Sequence, residues 1–534
     1  MTRTPLIQPR PTVRIVSQRL TLLSACLLVV AGPACRPHGD QISSDESTVT
    51  VLYIGDERIL GPYWEMPAQF LMFLPLVTLD QSGQMQPRLA QRWEHSSDYR
   101  EWTFHLQQDV RWHDGIPVTA HDIKFSLELF AHPDVLFGGA GQGIKSITVP
   151  DDSTLRITYT QPTDARDTWM VYYPRHLLKD LEPKEFFRWE FWTHPVGNGP
   201  YRYVRHVPKT MIALEANPDF YKGRAKIDGV VLKFGGSSAL TELLSGNVDA
   251  ITSVSRAAIP KLAGDPRFRV YDHGYPSGWL YAIYWNHGHP LFRDATVRRA
   301  LTLAINRREL AQVLNLPENV PIFDVIFTNQ QFLQRKLGQP LPYDPVRAKK
   351  LLEEAGWHDG DGDGIRERAE EKFRFTAMVP GRELDVVGMQ KAAIYVQAQL
   401  RKIGVSMEVQ PLDSTVLRPR LWAGDFEAAF HRFWNATTGH LSLFGEKSSI
   451  GYSNPKVIEL LKAAQITMDP DAKGQIYREL MDIFREDMPL TFLFPQIQTF
   501  VAHRRLRGLH SPYWGGTLRH MEDLWLEDEE EEPE

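Results

Sequence analysis

Residues 76–128, reading LVTLDQSGQMQPRLAQRWEHSSDYREWTFHLQQDVRWHDGIPVTAHDIKFSLE, constrain the fold more than any other part of this chain. Within them, Trp102-Thr103-Phe104-His105-Leu106 alternates large apolar with polar residues, the period-2 pattern of a strand with one buried face. His113-Asp114-Gly115 then supplies a turn, glycine giving the backbone freedom a tight reversal needs. Thr119 follows, with Asp122 three residues on. A hydroxyl and an acid at that spacing form a capping box ahead of the helical run 123–130. The segment therefore dictates strand, turn and capped helix, and by itself it names no chemistry.

The 534 residues leave room for two or three domains, and 43% apolar with 24% charged residues is an ordinary globular balance. Cys26 and Cys35 are the two cysteines, so the chain beyond Cys35 has no thiol for a disulfide, a zinc-thiolate site or a cysteine nucleophile. Ahead of them stand Arg3, Arg10, Arg14 and Arg19 without an acid, then the apolar run 20–31. This is the layout of a secretory signal, and the run is too short to span a bilayer comfortably. Gly32-Pro33-Ala34 before Cys35 reads as a lipoprotein-type signal, residues 1–34, with Cys35 as the acylated first residue of the mature chain. Gly32 departs from the leucine usual at that place. Leu23-Ser24-Ala25-Cys26 matches the motif better, but cutting there leaves hardly any apolar run in front. An uncleaved membrane anchor, or cleavage without a lipid, stands as the alternative. The polar stretch 35–48 reads as a flexible tether.

The formal net charge is −6, and residues 527–534 carry seven acids, so the remainder sums to about +1. That tail reads as a solvated, disordered end. A near-neutral body without a basic face argues against nucleic acid as a partner.

Strand-like runs at 49–54, 155–159, 211–215, 229–234, 268–271, 279–285, 373–379 and 406–410 alternate with amphipathic runs. This interleaving indicates a mixed α/β protein. The clearest helix is expected over 295–308, with Asp294 as N-cap and Val297, Leu301, Ala304 and Ile305 on one face. A second starts after Asp344, with Pro345 in the first helical position and Gly356 ending the run. Further helices fit 387–403, 455–467 and 471–485.

Several blocks, in order, resemble the family 5 extracellular solute-binding proteins, the peptide, oligopeptide and nickel receptors of ABC importers. They are Leu89-Ala90-Gln91-Arg92-Trp93-Glu94 with the strand and turn above, Pro195-Val196-Gly197-Asn198-Gly199-Pro200-Tyr201, Glu215-Ala216-Asn217-Pro218-Asp219-Phe220-Tyr221, Phe292-Arg293-Asp294 with Val297-Arg298-Arg299-Ala300-Leu301, and Tyr343-Asp344-Pro345. The resemblance spans roughly residues 48–525 and implies a type II periplasmic-binding-protein fold with two lobes and a hinge. Lobe I would take 49–280, including an extra subdomain at about 85–195. Lobe II would take 281–491, and 492–526 would return to lobe I. Crossings near 281–286 and 494–501 would form the hinge. Function would be capture of a small solute by a monomeric, exported protein, which passes it to an ABC permease and its ATPase. Membrane attachment would come through the lipid, and no cofactor is required. A sensing receptor feeding a signalling partner, or a secreted hydrolase, is the alternative.

Three patterns bear on other chemistry. Asp359, Asp361, Asp363 and Glu367 alternate with small residues at the spacing of a calcium loop. Arg366 stands where an EF-hand has an apolar residue, so a structural calcium and a plain acidic turn both remain readings. Among 18 histidines, His431 and His440 are close enough to suggest a metal contact, but no pair has helical spacing with an adjacent carboxylate ligand. Asp80, Asp114, Asp249 and Asp294 could be read as hydrolytic carboxylates, yet each sits in a turn or cap context, and no Gly-x-Ser-x-Gly elbow appears.

The resemblance sets the ligand cleft at Tyr63, Trp64, Thr252, Ser253 and the strand from Trp279 to Tyr284. It also draws attention to the run Asp425-Phe426-Glu427-Ala428-Ala429-Phe430-His431-Arg432-Phe433-Trp434-Asn435-Ala436. In peptide receptors of the family this segment leads through a tryptophan to an aspartate that pairs with the ligand's α-ammonium. Here Phe433 stands for the tryptophan and Ala436 or a neighbouring threonine for the aspartate, which puts ordinary N-terminal peptide recognition in question. Arg432 and Arg420 are candidates for holding a carboxylate or phosphate instead.

Overall fold

The computed structural model describes residues 47–53, 67–80, 84–135, 143–164, 170–235, 239–252, 254–274, 279–322, 324, 340–381, 388–434, 443–509 and 517–527. The leader with both cysteines, most of the tether, Tyr63, Trp64, Ser253, Asn435, His440 and the tail beyond Glu527 lie outside them.

In chain order, the strands of the three larger sheets are β1 (Thr48–Tyr53), β2 (Ala90–His95), β3 (Glu101–Leu106), β4 (Ile144–Asp151), β5 (Thr154–Tyr159), β6 (Tyr201–Val207), β7 (Met211–Ala216) and β8 (Gly229–Phe234). They continue as β9 (Ala250–Ile251), β10 (Phe268–Gly274), β11 (Trp279–Trp285), β12 (Arg374–Pro380), β13 (Ser406–Leu412), β14 (Ala428–Trp434), β15 (Leu490–Pro495) and β16 (Ile497–His503). A seven-stranded sheet runs β10-β16-β9-β1-β8-β7-β6, with β1 parallel to both its neighbours. A five-stranded sheet runs β13-β12-β14-β11-β15, and an antiparallel four-stranded sheet runs β2-β3-β5-β4. The helices used below are α1 (Pro67–Met72), α2 (Ala120–Phe130), α3 (Ala295–Leu303), α4 (Arg307–Val313), α5 (Pro345–Glu354), α6 (Met389–Arg401), α7 (Ser414–Ala423), α8 (Pro455–Ile466) and α9 (Pro470–Asp487).

Strand β11, WLYAIYW, shows why the five-stranded sheet sits between helices. Tyr281, Ile283 and Trp285 enter one core with Val297, Leu301, Leu352 and Val396. Leu280, Ala282 and Tyr284 enter the other with Leu417, Leu421, Leu461 and Phe484. A strand covered on both faces reads as a continuous apolar run.

The chain passes between the two large sheets after β10, which ends at Gly274, and again at Gln496, between β15 and β16. The first passage falls before Trp279 and not within 281–286, because 279–285 is one unbroken strand paired on both sides. For the same reason Trp279 and Leu280 belong to the five-stranded sheet. Residues 492–495 belong to it too, because β15 stays paired with β11 as far as Pro495.

The expected turn and cap are present, and their partners explain the distant motif. Gly115 has φ +89°, and the Asp122 carboxylate accepts from the Thr119 N–H (2.8 Å) and hydroxyl (3.1 Å) at the start of α2. His113 donates its backbone N–H to the Gly197 carbonyl (2.7 Å), and its Nδ1 accepts from the Gly197 N–H (3.2 Å). That wiring leaves the Nε2–H to donate to the Gly199 carbonyl (3.1 Å). It requires a neutral ring, and burial pushes the His113 pKa down to about 4. Asn198 and Gly199 both donate to the Met72 carbonyl (2.8 and 2.7 Å), while the Asn198 side chain accepts from Leu74 N–H (2.9 Å). A Cβ at Gly197 would stand 2.0 Å from the Met72 oxygen, and one at Gly199 2.4 Å from that of Leu71. The Gly-Asn-Gly motif is thus a demand for close backbone approach.

The helix expected over 295–308 is two. α3 ends at Leu303, and Asn306 then caps α4, its side chain accepting from the Glu309 N–H (3.1 Å) while its amide donates to the Glu309 carboxylate (3.2 Å). The Asn306–Glu309 spacing is itself a start signal that outweighs apolar periodicity. Asp294 caps α3 and Asp344 caps α5, each through its side chain. Arg298 is buried and donates to the carbonyls of Phe292, Arg293, Asp487 and Met488, so it closes the C-terminus of α9.

Candidate functional site

β11 begins, β14 ends and β15 ends at the same edge of the five-stranded sheet, beside both passages between the sheets. Residues far apart in sequence meet there. Tyr281 lies opposite Arg432 in register, so their side chains share a face, and alternation puts Trp279 on it too. The Arg432 guanidinium carbon lies 4.5 Å from the centroid of the Trp279 ring, a cation–π contact. Its Nη1 donates to the Gln496 side-chain oxygen. Gln496 in turn donates its backbone N–H to the Trp279 carbonyl (2.9 Å). All three residues are half-buried.

On the opposite face, Tyr284 and Phe433 lie inside the core, with the half-buried His431 beside Tyr284. The Tyr284 ring is fully buried and its hydroxyl has no hydrogen-bond partner among the described residues. Desolvation drives its pKa well above the ordinary tyrosine range. His431 packs edge-on against it (5.8 Å) and places its Nδ1 2.5 Å from the Arg432 carbonyl, which makes Nδ1 the donor. Burial, helped by Arg432 and Arg418, pushes the His431 pKa down to about 4, leaving a neutral ring. Phe433 packs against Phe492 (6.1 Å). These residues support the face that carries Arg432 and do not line it. For Trp434 the strand backbone is described.

Thr252 directly follows β9, half-buried, with its N–H donated to the Leu52 carbonyl (3.1 Å). Arg420 is engaged with Asp425 (2.8 Å). The local sequence gave no sign of Arg256. It is buried beside the seven-stranded sheet, gives Nη1 to the Thr499 hydroxyl of β16 (2.5 Å), and gives Nε (2.9 Å) and Nη2 to the carbonyl of Asn315 after α4. One guanidinium thereby joins the two halves of the molecule. Gln496 had a weak signal, as the polar residue that separates the strand-like runs LTFLFP and IQTFVAH.

The acidic loop carries its own cation. Asp359, Asp361 and Asp363 bring carboxylate oxygens within 4.8 Å of one another at the surface. The Lys372 ammonium reaches Asp361 (2.7 Å), Asp363 (3.2 Å) and Glu367 (3.0 Å). Arg366 turns inward to the carbonyls of Trp357 (2.7 Å) and Ile403 (2.9 Å) and to Glu353 (3.0 Å). The other acids have structural partners as well. Asp249 accepts from Thr50 N–H and Arg505, Asp114 from Ile116 N–H and His176, and Asp80 from Gln84 N–H and Gln86.

Residues 84–449 match the family model of bacterial extracellular solute-binding proteins, family 5, middle region. The oligopeptide-binding protein AppA of Bacillus subtilis is 26% identical over 449 residues, 79% of this chain and 80% of that one. The glutathione-binding protein GsiB of Salmonella typhimurium is 26% identical over 435 residues, 78% and 81% of the two chains. NikZ from Campylobacter jejuni, solved in complex with Ni(L-His), superimposes with a TM-score of 0.75 at 22% identity, covering 90% of this chain and 99% of that one. The two lobes and hinge of a type II periplasmic binding protein are thus the architecture here. The three names carry three different cargoes, so shared architecture leaves the ligand open.

Proposed function

The chain belongs to the bacterial extracellular solute-binding proteins of family 5, and from that membership we propose that it is the receptor of an ABC importer, anchored by a lipid on Cys35, that closes on a peptide or peptide-like solute and delivers it to a membrane permease. It is a binding protein and not an enzyme, as its family and relatives are. No helix among the described residues is long and apolar enough to cross a membrane, so in this reading attachment rests on the leader.

The observation that carries the proposal is the gathering of Trp279, Arg432 and Gln496 at the passages between the two large sheets. A solute seated there touches residues of the five-stranded sheet and the segment that hinges it to the other, so binding favours one relative position of the lobes. The work of transport then falls to the importer's ATPase, and the receptor needs only differential affinity for its closed state.

Native mass spectrometry of gently purified protein, followed by thermal-shift titration with a panel of peptides, opines, sugars and metal complexes, tests this reading. A retained or added solute that raises the melting temperature is the expected result. Silence across the whole panel refutes it.

A further inference from the structure

The buried arginines in the described residues share a habit that Arg432 does not. Arg88 pairs with Glu522, and Arg307 with Asp324 and the carbonyls of Leu341 and Phe492. Arg366 reaches Glu353 and two carbonyls, while Arg256 and Arg298 give their N–H groups to two or more oxygens each. Such pairing is what removal of a guanidinium from water requires.

Arg432 is half-buried, yet it donates to one neutral amide oxygen, and no carboxylate among the described residues pairs with it. Its plane is nevertheless held. The Trp279 ring supports the guanidinium at 4.5 Å, and Gln496 fixes one nitrogen. A guanidinium oriented in this way, with N–H groups left over, is pre-organised to accept a two-oxygen anion in fork geometry. It also stands at the passages between the sheets, where such an anion would be read as the lobes close.

We infer that Arg432, supported by Trp279 and Gln496, is the anchor for an oxyanion of the captured solute, a carboxylate or a phosphate, and that this receptor selects anionic solutes. The inference rests on the receptor reading above and names the ligand class of that site.

The test uses matched pairs that differ in the anion alone: short peptides as free acids and as C-terminal amides, and hexose phosphates with their parent hexoses. Each is titrated against the wild-type protein, Arg432→Gln and Arg432→Lys by thermal shift and calorimetry. The anionic member of at least one pair should bind more tightly to wild type, by about 10- to 100-fold for charge-assisted hydrogen bonds. Arg432→Gln should abolish that preference, and Arg432→Lys should restore part of it by keeping the charge without the fork. Preference within the acid–amide pairs identifies a carboxylate, and within the phosphate–hexose pairs a phosphate. Equal binding of both members to wild type, or a preference that survives in Arg432→Gln, overturns the anion assignment and leaves the receptor reading standing. No binding by any member to wild type overturns both. Circular dichroism of both variants, matching wild type, separates a lost anchor from a lost fold.

Discussion

Replacing Glu522 with glutamine should destabilise the folded protein by about 3–5 kcal/mol, the usual consequence of removing one member of a buried ion pair. Glu522 and Arg88 are 5% and 3% exposed, and Arg88 Nη1 lies 2.5 Å from the Glu522 carboxylate. The pair fastens the C-terminal segment to the lobe of the seven-stranded sheet, where the Tyr221 hydroxyl donates to the Arg88 carbonyl (3.2 Å) and the Tyr201 hydroxyl to that of Met521 (3.4 Å). Acid behaviour gives a second route to the magnitude. Burial alone would raise the Glu522 pKa, but Arg88 and His520 outweigh it and hold it at about 2 against an ordinary 4.5. That difference, at ~1.36 kcal/mol per pH unit, corresponds to about 3 kcal/mol. Because the folded pKa is depressed, this stability is fully present above pH 4.5 and is lost as pH falls from there toward 2.

At ~2.1 cal/mol/K per residue, a body of this size melting as one unit loses roughly 3–5 °C for such a change. Thermal melts at pH 7 of wild type, Glu522→Gln, Arg88→Met and the double variant Arg88→Met/Glu522→Leu measure it. The double variant should recover much of the loss, because two apolar side chains leave no uncompensated charge. Wild type should also lose stability more steeply than Glu522→Gln between pH 4.5 and 3. A single variant that melts within 1 °C of wild type, or one whose loss is undiminished in the Arg88→Met background, would refute the pairing argument.

Gly197→Ala should prevent recovery of folded protein or lower its melting point far more than Gly115→Ala, because its Cβ would stand 2.0 Å from the Met72 oxygen while that of Gly115 meets nothing. Gly115→Ala should cost about 1 kcal/mol for its left-handed backbone. Arg256→Ala removes the bonds to Thr499 and Asn315 that join the two halves. It should increase the radius of gyration in small-angle scattering, and an unchanged profile would remove Arg256 from the account of closure. Lys372→Gln leaves the acidic loop without its counter-charge. The variant should gain thermal stability from millimolar calcium more than wild type does, and equal responses would show that Lys372 does not stand in for an ion. Cys35→Ser should move the protein from the membrane fraction to the soluble one, whereas Cys26→Ser should not; the opposite pattern would reassign the lipid.

The parts of the fold legible in the sequence were those in which a local rule and a tertiary contact ask for the same residue. Thr119 and Asp122 form a cap wherever they occur, and the pairing of Asp122 with the Arg175 N–H (2.9 Å) only adds to it. The run 279–285 reads as a strand because both its faces are apolar. The reading of one helix over 295–308 failed where two local rules competed, apolar periodicity against the Asn306 cap. Tyr284 and Phe433, expected near the cleft, are buried in a core. Alternation along β11 and β14 says which residues share a face, but not that helices cover both faces of this sheet. Arg256 was invisible because its partners, Asn315 and Thr499, lie 59 and 243 residues away.

That division bears on how cargo can change within one architecture. The motifs that mark the family, such as Gly197-Asn198-Gly199 and the Asp294 and Asp344 caps, satisfy backbone groups at close approaches, so substitution there puts folding at risk before it touches binding. Trp279, Arg432 and Gln496 stand at strand ends, half-buried, and none closes a helix or fills the center of a core. Exchanging Arg432 for a neutral residue removes a half-buried guanidinium, its stacking on Trp279 and one hydrogen bond, a small loss to the fold beside that of Glu522. In the proposed reading, stability and specificity rest on separate residues, and a receptor of this kind can turn from an anionic to a cationic recognition group through a few positions on β14 while the rest of the chain stays as its packing requires.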